Sequence, residues 1–346
     1  MKLLFVSLLH SHYLKNTLYI GLKKLFGTSI DIYPEPYIDK KNFKVQYSNK
    51  SFANIDKIKH NLNNYDYIII GWLHRYTENI IKYILNNNNK RNIIIIDLDD
   101  LPYIRKIISN RNVVAYFKRE KLIKSIDSYV YIKKHFPAMV YHNLKTLING
   151  LKNYVWFYDM YLYPSFINNK KVYPIPLGVS NLIEYYPKLK NIKQKKYDVS
   201  FIATPNTKER KVIFEILKNI EKKYGINCYI NKGSLNFREY LKVIASSKIS
   251  INTYGYGVDT FRYYEIPYLN SMLLTKKPII EIPYNFINGK SAVFYKDVVE
   301  IEDLIIEYLE NNKWKKISKN GNIHVKKHFV DIKLAEYFIN LIDEFQ

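Results

Sequence analysis

The sequence predicts an α/β protein of two doubly wound domains. Three observations carry this. Short apolar runs alternate with helix-like segments, the β-α-β-α rhythm of a parallel sheet. Ile93–Ile96 is apolar throughout, as strands are when helices cover both faces of their sheet. The 346 residues suffice for two cores, and an extended stretch, Val172–Val179 (VYPIPLGV), reads as the crossover between them. The expected division is a first domain over residues 1–185, a Lys-rich linker over 186–196, a second domain over 197–330 and a closing helical segment over 331–346.

Taken in order, Lys2–Leu8 reads as the opening strand, Thr17–Phe26 as an amphipathic helix and Ile30–Tyr33 as the second strand, closed by Pro34 and Pro36. Ile55–Asn61 reads as helix, Tyr67–Ile70 as a central strand ending at Gly71-Trp72, and Thr77–Leu85 as helix before Ile93–Ile96. Leu101–Ile108 reads as helix and Val113–Phe117 as strand. In the second half, Val199–Ala203, Cys228–Ile230, Ile249–Thr253, Met272–Thr275 and Ser291–Tyr295 are the strands. Glu209–Ile220, Phe237–Ser246, Ile301–Glu310, Trp314–Asn320 and Lys333–Phe345 are the helices.

Apolar residues at 47% place the chain among globular proteins rather than disordered ones. The lone cysteine, Cys228, has no internal partner, sits in an apolar strand context and fits a reducing compartment. The apolar run after Lys2 is short, lacks a small-residue cleavage site and soon meets His10, His12 and Lys15, unlike a signal peptide. No run approaches the ~18 apolar residues of a membrane span. The expectation is a cytoplasmic protein, soluble or peripheral at the membrane.

The formal net charge is +23, and it is uneven. Met1–Ser200 hold 32 Lys and Arg against 14 Asp and Glu, whereas Phe201–Gln346 hold 22 against 17. A basic first half suits an anionic partner: an acidic glycan or glycoconjugate, DNA, or an anionic membrane surface. A solvated lysine-rich face is the alternative.

Three places in the first half can carry chemistry. His10 follows the first strand, where open sheets present ligand groups; it is either a turn residue or a phosphate contact. Asp97, Asp99 and Asp100 follow the strand at Ile96. One can serve as general base for an acceptor hydroxyl, or as N-cap of the next helix. Lys118 and Arg119 end the strand Val113–Phe117 and either meet phosphate or an acidic acceptor, or begin a solvated helix. Between Tyr129 and Ser165, aromatics including Tyr154, Trp156 and Tyr161 lie among lysines. They suit base stacking, a membrane interface or a helix core.

The second half centres on Ile249–Pro278. Its strand breaks at Tyr254-Gly255-Tyr256-Gly257, where the glycines permit unusual backbone geometry. Asp259 or Thr260 then caps a helix bearing Arg262 and Glu265 on one face. Strand, glycine turn and helix N-terminus make an anion site, to which Arg262 adds a planar cation. Glu265 can accept hydrogen bonds from a sugar diol. A plain Arg262–Glu265 salt bridge is the other reading. Arg210, in the first turn of its helix, opposes the helix dipole and so calls for an anion.

The run Asp259-Thr260-x-Arg262-x-x-Glu265, with Phe286-Ile287-Asn288-Gly289 and Asn320-Gly321, resembles the C-terminal half of GT-B glycosyltransferases, in particular the CgeB-like (spore-maturation) group; Tyr-Phe-Lys-Arg-Glu at Tyr116–Glu120 is similar too. The Asp…Leu-Pro setting at Asp97–Pro102 is similar to phage DNA β-glucosyltransferases. The Glu-x7-Glu of retaining families is absent, since the earlier position is Gly257.

The resemblance implies two Rossmann-like domains facing a cleft, with the last helix returning to the first domain. It implies transfer of a sugar, UDP-linked by family default, without a metal or other cofactor. Tyr256, Gly257, Asp259, Thr260 and Arg262 would line the donor site, Arg210 and Arg262 would hold the diphosphate, and Glu265 the ribose. An aspartate among Asp97, Asp99 and Asp100 would be the base of an inverting enzyme. Two other readings fit the same fold: a phage-type glucosyltransferase of DNA bases, and a non-catalytic nucleotide- or sugar-binding module.

Overall fold

The computed structural model describes residues 1–6, 13–33, 36–39, 44–47, 55–71, 78–150, 159–179, 183–184, 187–192 and 194–344. The chain forms two compact units. One comprises Met1–Pro176, Ile279–Pro283 and Asp331–Gln346, and the other Leu177–Pro278 and Tyr284–Val330.

The first unit runs β1 (Leu3–Val6), α1 (Tyr13–Phe26), β2 (Ile30–Tyr33), the antiparallel pair β3 (Pro36–Asp39) and β4 (Lys44–Tyr47), α2 (Ile55–Asn61), β5 (Tyr67–Gly71) and α3 (Glu78–Asn87). It continues through β6 (Ile93–Asp97), β7 (Tyr103–Arg105), β8 (Val113–Lys118), α4 (Ile126–Gly150), β9 (Tyr161–Pro164) and β10 (Val172–Pro174). Six strands form one parallel sheet in the order β10-β8-β6-β5-β1-β2. The apolar strands β5 and β6 lie at its centre and are buried along their whole length. The later segment Ile279–Pro283 pairs with this unit: Ile123 N donates to Ile279 O at 2.9 Å and Glu281 N to Lys121 O at 2.7 Å.

Residues 101–108 do not form the expected helix. Leu101 precedes Pro102, which disfavours helical geometry before it. The chain instead extends as β7 against β9 and closes in a 3₁₀ turn at Lys106–Ser109. Extension places the Arg105 side chain inside the unit, where three aspartates meet it.

The second unit runs β11 (Tyr197–Ile202), α5 (Lys208–Tyr224), β12 (Cys228–Asn231), α6 (Phe237–Ala245), β13 (Ser247–Asn252), α7 (Phe261–Tyr268), β14 (Met272–Lys276), β15 (Val293–Tyr295), α8 (Glu300–Leu309) and α9 (Trp314–His328). Its sheet is parallel throughout, in the order β12-β11-β13-β14-β15. The order reverses at β11, with β12 on one side and β13 on the other. Such a switch point opens a crevice at the carboxyl ends of β11 and β13. Thr207 caps α5, its hydroxyl accepting from Arg210 N at 3.2 Å, and Gly225 closes the helix in the left-handed region. Asn236 caps α6 in the same way through Glu239 N.

The last helix, α10 (Asp331–Asp343), belongs to the first unit. It packs so closely on α1 that a Cβ on Gly21 would sit 2.1 Å from Asp331 O. Lys24 Nζ bonds the Asp331 carboxylate at 2.6 Å, and Tyr67 Oη donates to Ile342 O at 3.1 Å.

Candidate functional site: two arginines at the switch point

In the second unit, β11 ends at Ile202 and β13 at Asn252. Arg262, in the first turn of α7, donates from Nη1 to Ile202 O at 2.9 Å, and its Nε lies 3.5 Å from Asn252 Oδ1. Arg210, in the first turn of α5, donates from Nη1 to Thr204 O at 3.2 Å and to Asn206 Oδ1 at 3.0 Å. Both guanidiniums therefore reach the carboxyl end of β11. Burial, and then the charge of Arg262, lower the Arg210 pKa. Among the described residues, no carboxylate lies within ion-pair distance of either arginine. The nearby Glu209 pairs with Lys276 at 2.5 Å and accepts from Tyr295 Oη at 3.1 Å.

Glu265 lies one turn further into α7 and is fully buried. Its Oε2 accepts from Tyr240 Oη at 2.6 Å, while its Oε1 has no hydrogen-bond partner. Burial pushes its carboxyl up to about 7, against the Tyr240 bond and the Arg262 charge. The helical Arg262–Glu265 salt bridge is not formed.

The glycine turn differs from expectation. Neither Gly255 nor Gly257 has a positive φ. A Cβ on Gly255 would stand at an ordinary van der Waals distance, 3.5 Å, from Arg210 Nη2, so the turn runs beside that guanidinium. Gly255 N donates to Gly257 O at 2.9 Å, and Tyr256 projects into solvent. Thr260 is the N-cap residue of α7, but its side chain makes no cap bond. Its hydroxyl donates to Asn252 Oδ1 at 2.9 Å. Asp259 is buried; it accepts from Leu177 N at 2.8 Å and from Tyr264 Oη at 2.9 Å, which ties the start of α7 to the crossover strand.

Asn252 escapes a motif reading. Its Oδ1 serves Thr260 and Arg262 while its Nδ2 donates to Thr275 Oγ1 at 3.0 Å, so it sets the positions of both N-terminal residues of the motif. The strand it ends, Ser247–Asn252, also carries Ser247, Lys248 and Ser250, so one more polar residue gives no signal. Tyr240 and Tyr295 come from other elements and leave no local trace.

In the first unit, Asp97, Asp99 and Asp100 have three different fates. Asp97 is buried; it accepts from Tyr116 Oη, from Lys118 Nζ at 3.0 Å and from Asp99 N at 3.0 Å. Asp99 accepts from Arg105 Nη2 at 2.6 Å, Tyr161 Oη at 2.6 Å and Leu101 N at 3.1 Å. Burial works to raise the Asp99 carboxyl, but Arg105 and Lys118 outweigh it and hold it at about 2. Asp159 completes the set around Arg105. The Leu101 bond is a turn closure in place of the expected helix cap. Asp100 pairs with Arg119, and its side chain remains 37% exposed. Lys118 is buried, with its ammonium bonded to the Asp97 carboxylate and to Asp99 O. His10 and the aromatics Tyr154 and Trp156 lie outside the described residues.

Among the described residues, no group of three or more His, Cys, Asp or Glu is placed to hold a metal ion. Cys228 lies half-buried in β12, where burial pushes its thiol up to about 12 and leaves it unreactive.

No family model matches the chain, and no curated protein matches it. Solved structures do. The chain is similar to Anabaena Alr3699/HepE in complex with UDP and glucose, with a TM-score of 0.53 and 9% identity over 99% of this chain and 100% of that one. The complex of the same Anabaena protein with UDP gives the same values. At this identity the likeness is one of fold: two α/β domains with parallel sheets, the GT-B fold.

Proposed function

We propose that the chain is a glycosyltransferase that takes a sugar from a nucleoside-diphosphate donor, with UDP as the carrier. The observation that carries this is the pair Arg210 and Arg262, two guanidiniums at the switch point of the second unit with no carboxylate within ion-pair distance among the described residues. Like charges brought together in a half-buried place are costly unless an anion joins them. A diphosphate fits, because it offers a planar fork an acceptor on each phosphate. The run from Asp259 to Glu265 is read as that of the CgeB-like group, and the fold shared with a protein crystallised with UDP supports the same donor.

Each residue then has a task. Arg210 and Arg262 hold the diphosphate in the ground state and stabilise the charge that builds on it as leaving group; preorganised cations suffice for this without proton transfer. Glu265 turns its unpartnered oxygen to the ribose diol. Asn252 and Asp259 set the start of α7 and so the aim of Arg262. Of the three first-unit aspartates, Asp100 is the proposed base of an inverting reaction. All three pair with buried cations, and Asp100 keeps the most exposed carboxylate, 37% against 19% for Asp99 and 0% for Asp97. The acceptor is a hydroxyl of an anionic glycan or glycoconjugate, or of a modified DNA base that bears one, in keeping with the basic first half of the chain.

The test is thermal shift against UDP, GDP, CMP, dTDP and ADP, with Arg262→Ala and Arg210→Ala alongside. A rise with UDP that each variant loses supports the reading, since a ligand that binds only the native state raises the melting temperature. A parent protein indifferent to all five nucleotides would sink it.

A further inference from the structure

For a surface helix, α4 turns an unusual amount of apolar side chain to solvent. An ordinary one turns its apolar stripe inward and its polar face to water. In α4, Ser128, His135 and Thr146 are buried. His142 and Asn143, on the same side, bond the strand beneath: Asn143 Nδ2 donates to Tyr161 O at 2.9 Å and its Oδ1 accepts from Tyr161 N at 2.8 Å. The opposite side is aliphatic and aromatic. Ile126 is 83% exposed, Tyr141 71% and Ile148 61%, with Val130, Val140 and Leu144 exposed beside them. At 100° per residue these six fall on one face. The inner face is held by the Asn143 bonds and by Ile132, Ala138 and Met139, which pack on Leu101, Tyr103 and Tyr161, so the orientation is fixed and the outer apolar face is left uncovered.

We infer that α4 is a docking surface for an anionic lipid bilayer, lying in the plane of the headgroups. The lysines choose this occupant. Lys124, Lys133, Lys134 and Lys145 are all exposed on or just before the helix, against Asp127 as the one carboxylate between residues 124 and 150. Lys133 falls within the apolar face, and Lys134 and Lys145 along one flank. At a bilayer their stems lie along the acyl boundary while the ammonium groups reach lipid phosphates. A second copy of the chain on the same face would have to bury Lys133 against an apolar surface that carries the same charge. DNA would leave the aliphatic centre of the face uncovered. Among the described residues no helix is long and apolar enough to cross a membrane, so the contact is superficial. This inference stands apart from the donor site and does not depend on it.

The full chain is floated with vesicles of phosphatidylcholine alone and of phosphatidylcholine with phosphatidylglycerol, at low and high salt. Binding is expected to the anionic vesicles, weakening as salt rises. The double variant Leu144→Asp/Ile148→Asp should lose at least about tenfold in partition, since each exchange removes a side chain of the size that contributes about that factor when fully buried. Lys133→Glu/Lys134→Glu should lose the preference for anionic vesicles. All four side chains are exposed, and circular dichroism verifies that both variants fold. Absence of flotation by the parent overturns the inference. So does a charge variant that binds as the parent does, or sedimentation showing that the aspartate variant splits a dimer while flotation is unchanged.

Discussion

Glu265 has two carboxylate oxygens and a single hydrogen-bond donor, Tyr240. Burial raises its pKa from 4.5 to about 7. Between those values the native protein keeps a proton that the unfolded chain has released. Stability from this group is therefore full below about 4.5 and is lost as pH rises through about 7. Glu265→Gln should flatten that slope, gaining on the order of 3 kcal/mol at most over the parent above pH 7, as read from urea midpoints against pH. The same carboxyl gives nucleotide binding a sign. A ribose diol donates to the charged form, so UDP affinity should rise with pH through neutrality and binding should release a proton. Calorimetry in buffers of different ionisation enthalpy measures it, and a pH-independent affinity would remove Glu265 from the donor site. Arg105 is the counterpart in the first unit. It is buried among Asp97, Asp99 and Asp159. Arg105→Met leaves Asp99 and Asp159 without this cation, while Asp97 keeps Lys118, and should cost about 3–5 kcal/mol.

At the scale of elements, two positions show why a particular residue stands where it does. Gly321 lies in α9 where a Cβ would come 2.6 Å from Ser291 O and 3.1 Å from Pro267 Cβ. Gly321→Ala must push α9 away from backbone, and a loss of about 1–3 kcal/mol is expected. Asn270 follows α7 with φ 57°, in the left-handed region. Asn270→Val should cost about 1–2 kcal/mol, and Asn270→Gly should cost little, which a pair of denaturation curves would show. These elements also mark what sequence makes legible. Strands such as β5 and β6 are plain because burial on both faces leaves no polar position in them. Arg210, Arg262 and Glu265 are plain because helix spacing alone brings them forward. The network behind Asp97–Asp100 is hidden, since the pattern of three carboxylates says nothing of Arg105 turned inward or of Asp159, fifty-four residues further on. The expected helix over 101–108 fails for the same reason: local propensity loses to a buried ion cluster. The exposed apolar face of α4 is hidden too, because apolar residues all round a helix do not say which of them the protein covers.

For the whole molecule, the uneven charge and the placement of α10 matter most. Neither unit is a continuous piece of chain. A truncation before Asp331 removes α10 from the face of α1 that bears Gly21 and Lys24, along with the Tyr67–Ile342 bond. The expected product exposes apolar surface on its first unit and binds a hydrophobic dye, while the second unit keeps its α5–α9 core and any UDP-induced rise in melting temperature. Equal loss of both would show that the units do not fold separately.

The late position of α10 also bears on synthesis. A nascent chain exposes β1–β10 early, yet the sheet they form stays without the helix α10 until Asp331–Asp343 clears the ribosome. By then β11–β15 and their helices have been outside for some time. The unit begun first is completed only after the other has been made, and chaperones that shield emerging chains would meet it in an incomplete state while β11–α9 are synthesised.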